Sequence, residues 1–194
     1  MIVRERMFDM NLDRLDMEEL FALAIAAGSA NMPADAMVLL KIILERDPGN
    51  TNATYLLAAQ HAQLGMVDRA EQGFKQVVAV ASSLPVARFQ YGQLLMGQGR
   101  NEEAASVLAP ILEQVDDLGA YARALNAAGE ERIQGSLREL DKGLELPQSI
   151  PALTIDMRRL REQLGGVTSQ VASEVVAINE TPAAMFLTGY GRTN

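Results

Sequence analysis

Residues 65–74 read GMVDRAEQGF, and this stretch decides the fold because the chain writes it more than once. The same skeleton returns as GRNEEAASVL at 99–108 and, more loosely, as NMPADAMVLL at 31–40. Set in register, the copies lie 34 residues apart. Ala36, Ala70 and Ala104 coincide, as do Leu40, Phe74 and Leu108, and again Ile43, Val77 and Ile111. Asn31, Gly65 and Gly99 share the register. Upstream, Leu23, Leu57 and Tyr91 correspond, each followed by a small residue, Ala24, Ala58 or Gly92. A period near 34 built from two helices marks a helical repeat array.

Each copy makes physical sense as helix, tight turn, helix. Gly or Asn ends the first helix, because a left-handed backbone costs those residues least. Acids follow at Asp35, Asp68 and Glu102–Glu103, in the first turn of the second helix, where the macrodipole favours them. Ala, then Leu or Phe four residues on, then Ile or Val three further on, makes one apolar stripe at helical spacing. The recurring Ala lets two helices approach closely. Pro48–Gly49 stops the first copy, and Pro85 acts similarly one copy later, slightly out of register.

Composition agrees. Of 194 residues, 48% are hydrophobic and only 5% aromatic, with no Trp, which suits helices packed through small side chains. Without Cys, disulfide frameworks, thiolate metal sites and cysteine nucleophiles are excluded. The first twenty residues carry acids throughout and lack the apolar core of a secretory signal, and no apolar run is long enough to span a bilayer. Residence in the cytoplasm, or in a particle assembled there, is therefore the expectation. A net charge of −8 repels nucleic acid and anionic lipid.

These residues resemble the tetratricopeptide repeat family. Leu57, Ala58, Gly65, Ala70, Phe74 and Val77 match its pattern of large, small, Gly, Ala, aromatic or Leu, and branched positions. Pro48 matches its terminal Pro, while Thr54, Arg88, His61 and Asp116 depart from it. The resemblance implies an all-α, right-handed superhelix of antiparallel helix pairs, with three units at 17–50, 51–84 and 85–118. Residues 1–16 are expected to cap one end. Beyond 118 the register fails; 119–147 alternates helix, Gly129, helix and reads as a degenerate unit. Residues 150–164 read as a further capping helix, so 119–164 is expected to close the array. Gly165–Gly166 is expected to break the chain and begin an irregular arm, 165–194.

Catalytic chemistry is hard to build from this chain. His61 is the only His and stands where the family packs a side chain. No EF-hand, phosphate loop or dinucleotide fingerprint is present. No catalytic residue, metal or cofactor is expected, and the chain is not expected to be an enzyme. The resemblance instead implies a concave surface lined by the first helix of each unit. Its fifth position gives Phe21, Tyr55 and Phe89, an aromatic in every unit. Neighbouring positions give Ile25, Asn52, Ala59, Gln63, Gln93 and Met96. Rings flanked by small and flexible side chains suit an extended or helical apolar segment of a protein partner; packing of the rings against the next helix is the competing expectation.

The acid-binding clamp of tetratricopeptide co-chaperones is absent, because its positions hold Phe21, Ile25, Leu56, Val86 and Gln90. The apolar groove is similar to that of chaperones of type III secretion translocators. An adaptor or secretion-type chaperone is the first expectation. The alternative is a structural subunit of a larger assembly, a secretion machine or virion, docking through an arm that carries Met185, Phe186, Leu187 and Tyr190. Self-association or a hetero-assembly fits either reading.

Overall fold

The computed structural model describes residues 12–81 and 84–171, with side chains to residue 166. The expected cap at 1–16 thus falls largely, and the arm residues Met185, Phe186, Leu187 and Tyr190 wholly, outside the described residues. The chain divides into two compact units, Met1–Ala81 and Ser82–Asn194. The all-α class is found: the described residues form α-helices and short 3-10 turns, with no strand among them.

The first unit contains α1 (Met17–Ser29), α2 (Pro33–Arg46), α3 (Thr51–Gln63) and α4 (Val67–Val80). Asp16 opens α1 through a reciprocal cap: its carboxylate accepts from Glu19 N at 2.8 Å, and Glu19 accepts from Asp16 N at 2.9 Å. Asn50 caps α3 by accepting from Ala53 N at 3.0 Å. Consecutive helices pack as neighbours throughout this unit. The core between the first pair and α3 gathers Leu20, Ala24, Leu39, Leu40, Ile43 and Ala53. Arg46 donates to the carbonyls of Leu15 (2.6 Å) and Leu12 (2.9 Å), tying the 3-10 turn Leu12–Arg14 to the end of α2.

The second unit contains α5 (Pro85–Gly97), α6 (Asn101–Leu108), α7 (Asp117–Gly129), α8 (Ile133–Glu145) and α9 (Pro151–Val171). Helix α6 is short because Pro110 has no N–H to continue the ladder; a 3-10 turn, Ala109–Ile111, finishes it. Leu108 and Ile111 nevertheless keep their place in the core. The shortening explains why the register fails after residue 118. Helix starts are capped or preceded by Asp16, Asn50, Leu84 and Asp116, so the fourth start comes two residues early. Asp116 is that start: its carboxylate accepts from Gly119 N at 2.9 Å.

The four hinges are the same device. Asn31, Gly65, Gly99 and Glu131 have φ of 56°, 69°, 74° and 58°. After each, a backbone N–H reaches back five residues: Met32 to Ala27, Met66 to His61, Arg100 to Leu95 and Arg132 to Ala127, at 2.8–3.0 Å. The hinge of the fourth pair is therefore Glu131, not Gly129, which still lies in α7. A side chain in the left-handed region costs roughly 1 kcal/mol, and Glu131 is exposed and unneeded for packing. Glu131→Gly is expected to stabilise the chain by about 0.5–1 kcal/mol, read as a higher urea midpoint; Glu131→Val is expected to lower it.

Helix α9 corrects another expectation. It runs through Gly165–Gly166 to Val171. Neither glycine takes a positive φ, so nothing turns the chain there. Leu153, Met157, Leu160 and Leu164 form a buried stripe where α9 packs on α8.

Candidate functional site

On α3, Asn52, Tyr55, Ala59 and Gln63 recur at three-, four- and four-residue steps and so share one face. Asn52 and Gln63 are exposed, and Tyr55 and Ala59 are half-buried. The Tyr55 ring leans on Phe74 of α4, centroids 6.4 Å apart and planes tilted by 47°. Burial pushes the Tyr55 phenol up to about 12, so it stays neutral at any physiological pH. On α1, Phe21 is half-buried against the core of the first pair. Ile25, one turn later, is 54% exposed. These six residues leave apolar and amide groups open to a partner.

The three sites expected in α5 divide differently. Phe89 is 0% and Met96 1% exposed, so both belong to the core of the second unit and cannot line an open surface without rearrangement. Gln93 is half-buried and has a partner of its own. For Phe89 the competing expectation, a ring packed against neighbouring helices, is the one the structure displays.

The structure also extends the aromatic series. With the two-residue shortening allowed for, the position after Phe21, Tyr55 and Phe89 is Tyr121. It is fully buried, and its hydroxyl donates to Gln148 Oε1 at 2.7 Å. Gln148 in turn donates to the carbonyls of Gly143 (2.9 Å) and Leu146 (2.6 Å), and Thr154 Oγ1 donates to Gln148 Oε1 at 2.7 Å. Burial pushes the Tyr121 phenol up. Two more polar residues brace this unit. Arg123 pairs with Glu139 at 2.7 Å and donates to the carbonyls of Leu112 and Gln114, holding the loop after the shortened helix. Asp117, 1% exposed, accepts from Ser149 N at 2.8 Å and Ser149 Oγ at 2.6 Å. Both arrangements join positions far apart in the chain and have no local signal.

Among the described residues, no three His, Cys, Asp or Glu side chains are grouped to hold a metal ion, and no helix is long and apolar enough to cross a membrane.

The tetratricopeptide repeat family matches residues 27–85. No curated protein matches the sequence. Two solved structures are similar in fold. "MamA 41-end from Desulfovibrio magneticus RS-1" aligns with a TM-score of 0.56 at 17% identity, over 87% of this chain and 89% of that one. "MamA RS-1 ArsTM double mutant" aligns with a TM-score of 0.55 at 17% identity, over 88% and 90%. At that identity the likeness speaks to fold. Together with the 34-residue register, the repeated hinges and the family match over residues 27–85, it shows a fold of tetratricopeptide-like helix pairs.

Proposed function

We propose that the chain is a non-enzymatic protein–protein interaction module that takes an apolar, extended or helical segment of a partner on Phe21, Ile25, Asn52, Tyr55, Ala59 and Gln63. The repeat fold supports a scaffold or interaction role. The observation that carries the finer reading is Ile25, an aliphatic side chain left 54% exposed one turn after a half-buried ring. Exposed apolar groups beside rings and amides are what partner segments bury, and a few such anchors supply most of the affinity. This surface supports an adaptor or chaperone role, and a cytoplasmic partner is part of that proposal.

The test uses a panel of fluorescent apolar peptides of about a dozen residues, long enough to cross several helical turns. Ile25→Asp and Tyr55→Ala are each expected to weaken the best binder about tenfold or more, while Ile25→Asp leaves the melting temperature nearly unchanged. Peptide affinities that ignore both substitutions would remove the reading.

A further inference from the structure

The first unit holds a cavity of about 440 Å³ between α2, α3 and α4, on the opposite side of α3 from the partner face. Three basic side chains line it, one from each helix: Lys41, His61 and Arg69. Thr54, Gln72 and Gln76 add neutral hydrogen-bonding groups, and no carboxylate lines it. In a chain of net charge −8 that is a local reversal of sign.

None of the three bases makes an ion pair or side-chain hydrogen bond among the described residues. Unpaired bases also occur elsewhere among the described residues, at Arg14, Arg138, Lys142 and Arg158, but those are not gathered at one cavity, and six others are paired. Lys75, Arg100, Arg123, Arg132, Arg159 and Arg161 all have carboxylate partners within 4 Å. His61 is only 8% exposed, yet its ring lines the cavity. Burial, then the charges of Arg69 and Lys41, hold its pKa below the ordinary value. The ring is therefore neutral at pH 7, with one nitrogen able to donate. The cavity's local geometry also has a sequence cause. Leu39 and Val107 stand at the register of Gly73 in neighbouring pairs, whereas a Cβ at 73 would stand 2.7 Å from the Ala58 Cβ, so the missing side chain lets α3 and α4 approach closely beside the cavity.

We propose that Lys41, His61 and Arg69 form a binding site for an oxyanion, a phosphate or carboxylate group carried on a small molecule. Arg69 and Lys41 supply charge from two sides, Arg69 with a fork that fits two oxygens at once. The His61 N–H and the amides of Gln72 and Gln76 supply neutral donors. The apolar remainder of the wall, Leu44 and Leu57 included, accepts the uncharged part of the ligand.

His61 makes the test unambiguous, because it is the only His of the full chain and so gives the one imidazole C2–H resonance. Its titration is followed by proton NMR in sodium phosphate, sodium acetate and sodium chloride at matched ionic strength. A bound oxyanion offsets the fields of Arg69 and Lys41, so the His61 midpoint is expected to rise by about 0.5–1 pH unit and to saturate. Saturation by phosphate alone assigns a phosphoryl ligand, and saturation by acetate alone a carboxylate. Arg69→Gln and Lys41→Gln, both at exposed positions, are each expected to weaken the effect about tenfold while leaving the backbone amide spectrum otherwise intact. The proposal fails if neither anion moves the midpoint more than chloride does, or if the shift survives both substitutions. A failure of the peptide test would leave this result untouched, since Ile25 and Tyr55 are not among the residues that line the cavity.

Discussion

Phe89→Ala is expected to lower the unfolding free energy by about 3–5 kcal/mol, the range for emptying a fully buried aromatic position. The ring is 0% exposed, on a helix whose Leu94, Leu95 and Met96 are also buried. The change removes its contacts and leaves a void that close-packed helices fill only in part. Phe21 occupies the same register position with the same ring, but it is half-buried. Phe21→Ala is expected to cost well under half as much. The pair is measured by urea unfolding at constant m-value. Equal losses would mean that the two rings are equally enclosed, and the division between a core ring and a partner-facing ring would be lost. The result also governs functional experiments. A chain lacking Phe21, Tyr55 and Phe89 together would lose binding through unfolding, so Phe89 has to be left intact when the surface is tested.

How much of this was legible in the sequence depends on which interactions are local. The hinges at Asn31, Gly65 and Gly99 are visible because the residue itself favours the backbone that the turn requires. The fourth is hidden because Glu131 adopts that backbone against its own preference, carried by the helix-end hydrogen bonds around it. The 34-residue period reveals which residues recur but not what covers them, so Phe21 and Phe89 look alike until neighbouring helices are in place. Pro110 is plain in the sequence, yet its effect, a start two residues early at Asp116, needs the cap geometry. The register then recovers Tyr121 as the fourth ring and Ser136 as the fourth copy of the recurring Ala. Ser136 is fully buried with its hydroxyl unpartnered, as befits a position that asks only for small volume. The basic cavity has no local signature at all, because Lys41, His61 and Arg69 meet only when three helices pack.

Gly143→Val is expected to cost about 3 kcal/mol, within the range for overpacking, although it restores the residue type that the register calls for. Ile43, Val77 and Ile111 hold this position in the other pairs. In the fourth pair the space is taken: a Cβ on residue 143 would stand 2.5 Å from Cε1 and 2.7 Å from Cδ1 of Tyr121, and 3.2 Å from the Ala120 Cβ. The ring cannot swing aside freely, because its hydroxyl is held by Gln148, which is itself bonded to the Gly143 and Leu146 carbonyls. Overpacking of this kind typically costs about 1–3 kcal/mol, and moving the ring would also break a buried hydrogen bond worth about 1 kcal/mol. Tyr121→Ala alone is expected to cost about 3–5 kcal/mol through the cavity it leaves. The two changes are in contact and should not add. The introduced valine side chain refills part of the space that Tyr121 vacates, so the double variant is expected to be more stable than the sum of the single losses by about 2 kcal/mol. Strict additivity in a double-mutant cycle would show that ring and glycine are not complementary halves of one packed position. The coupling, if found, means that the fourth pair exchanged an aliphatic residue on its second helix for a buried, hydrogen-bonded tyrosine on its first.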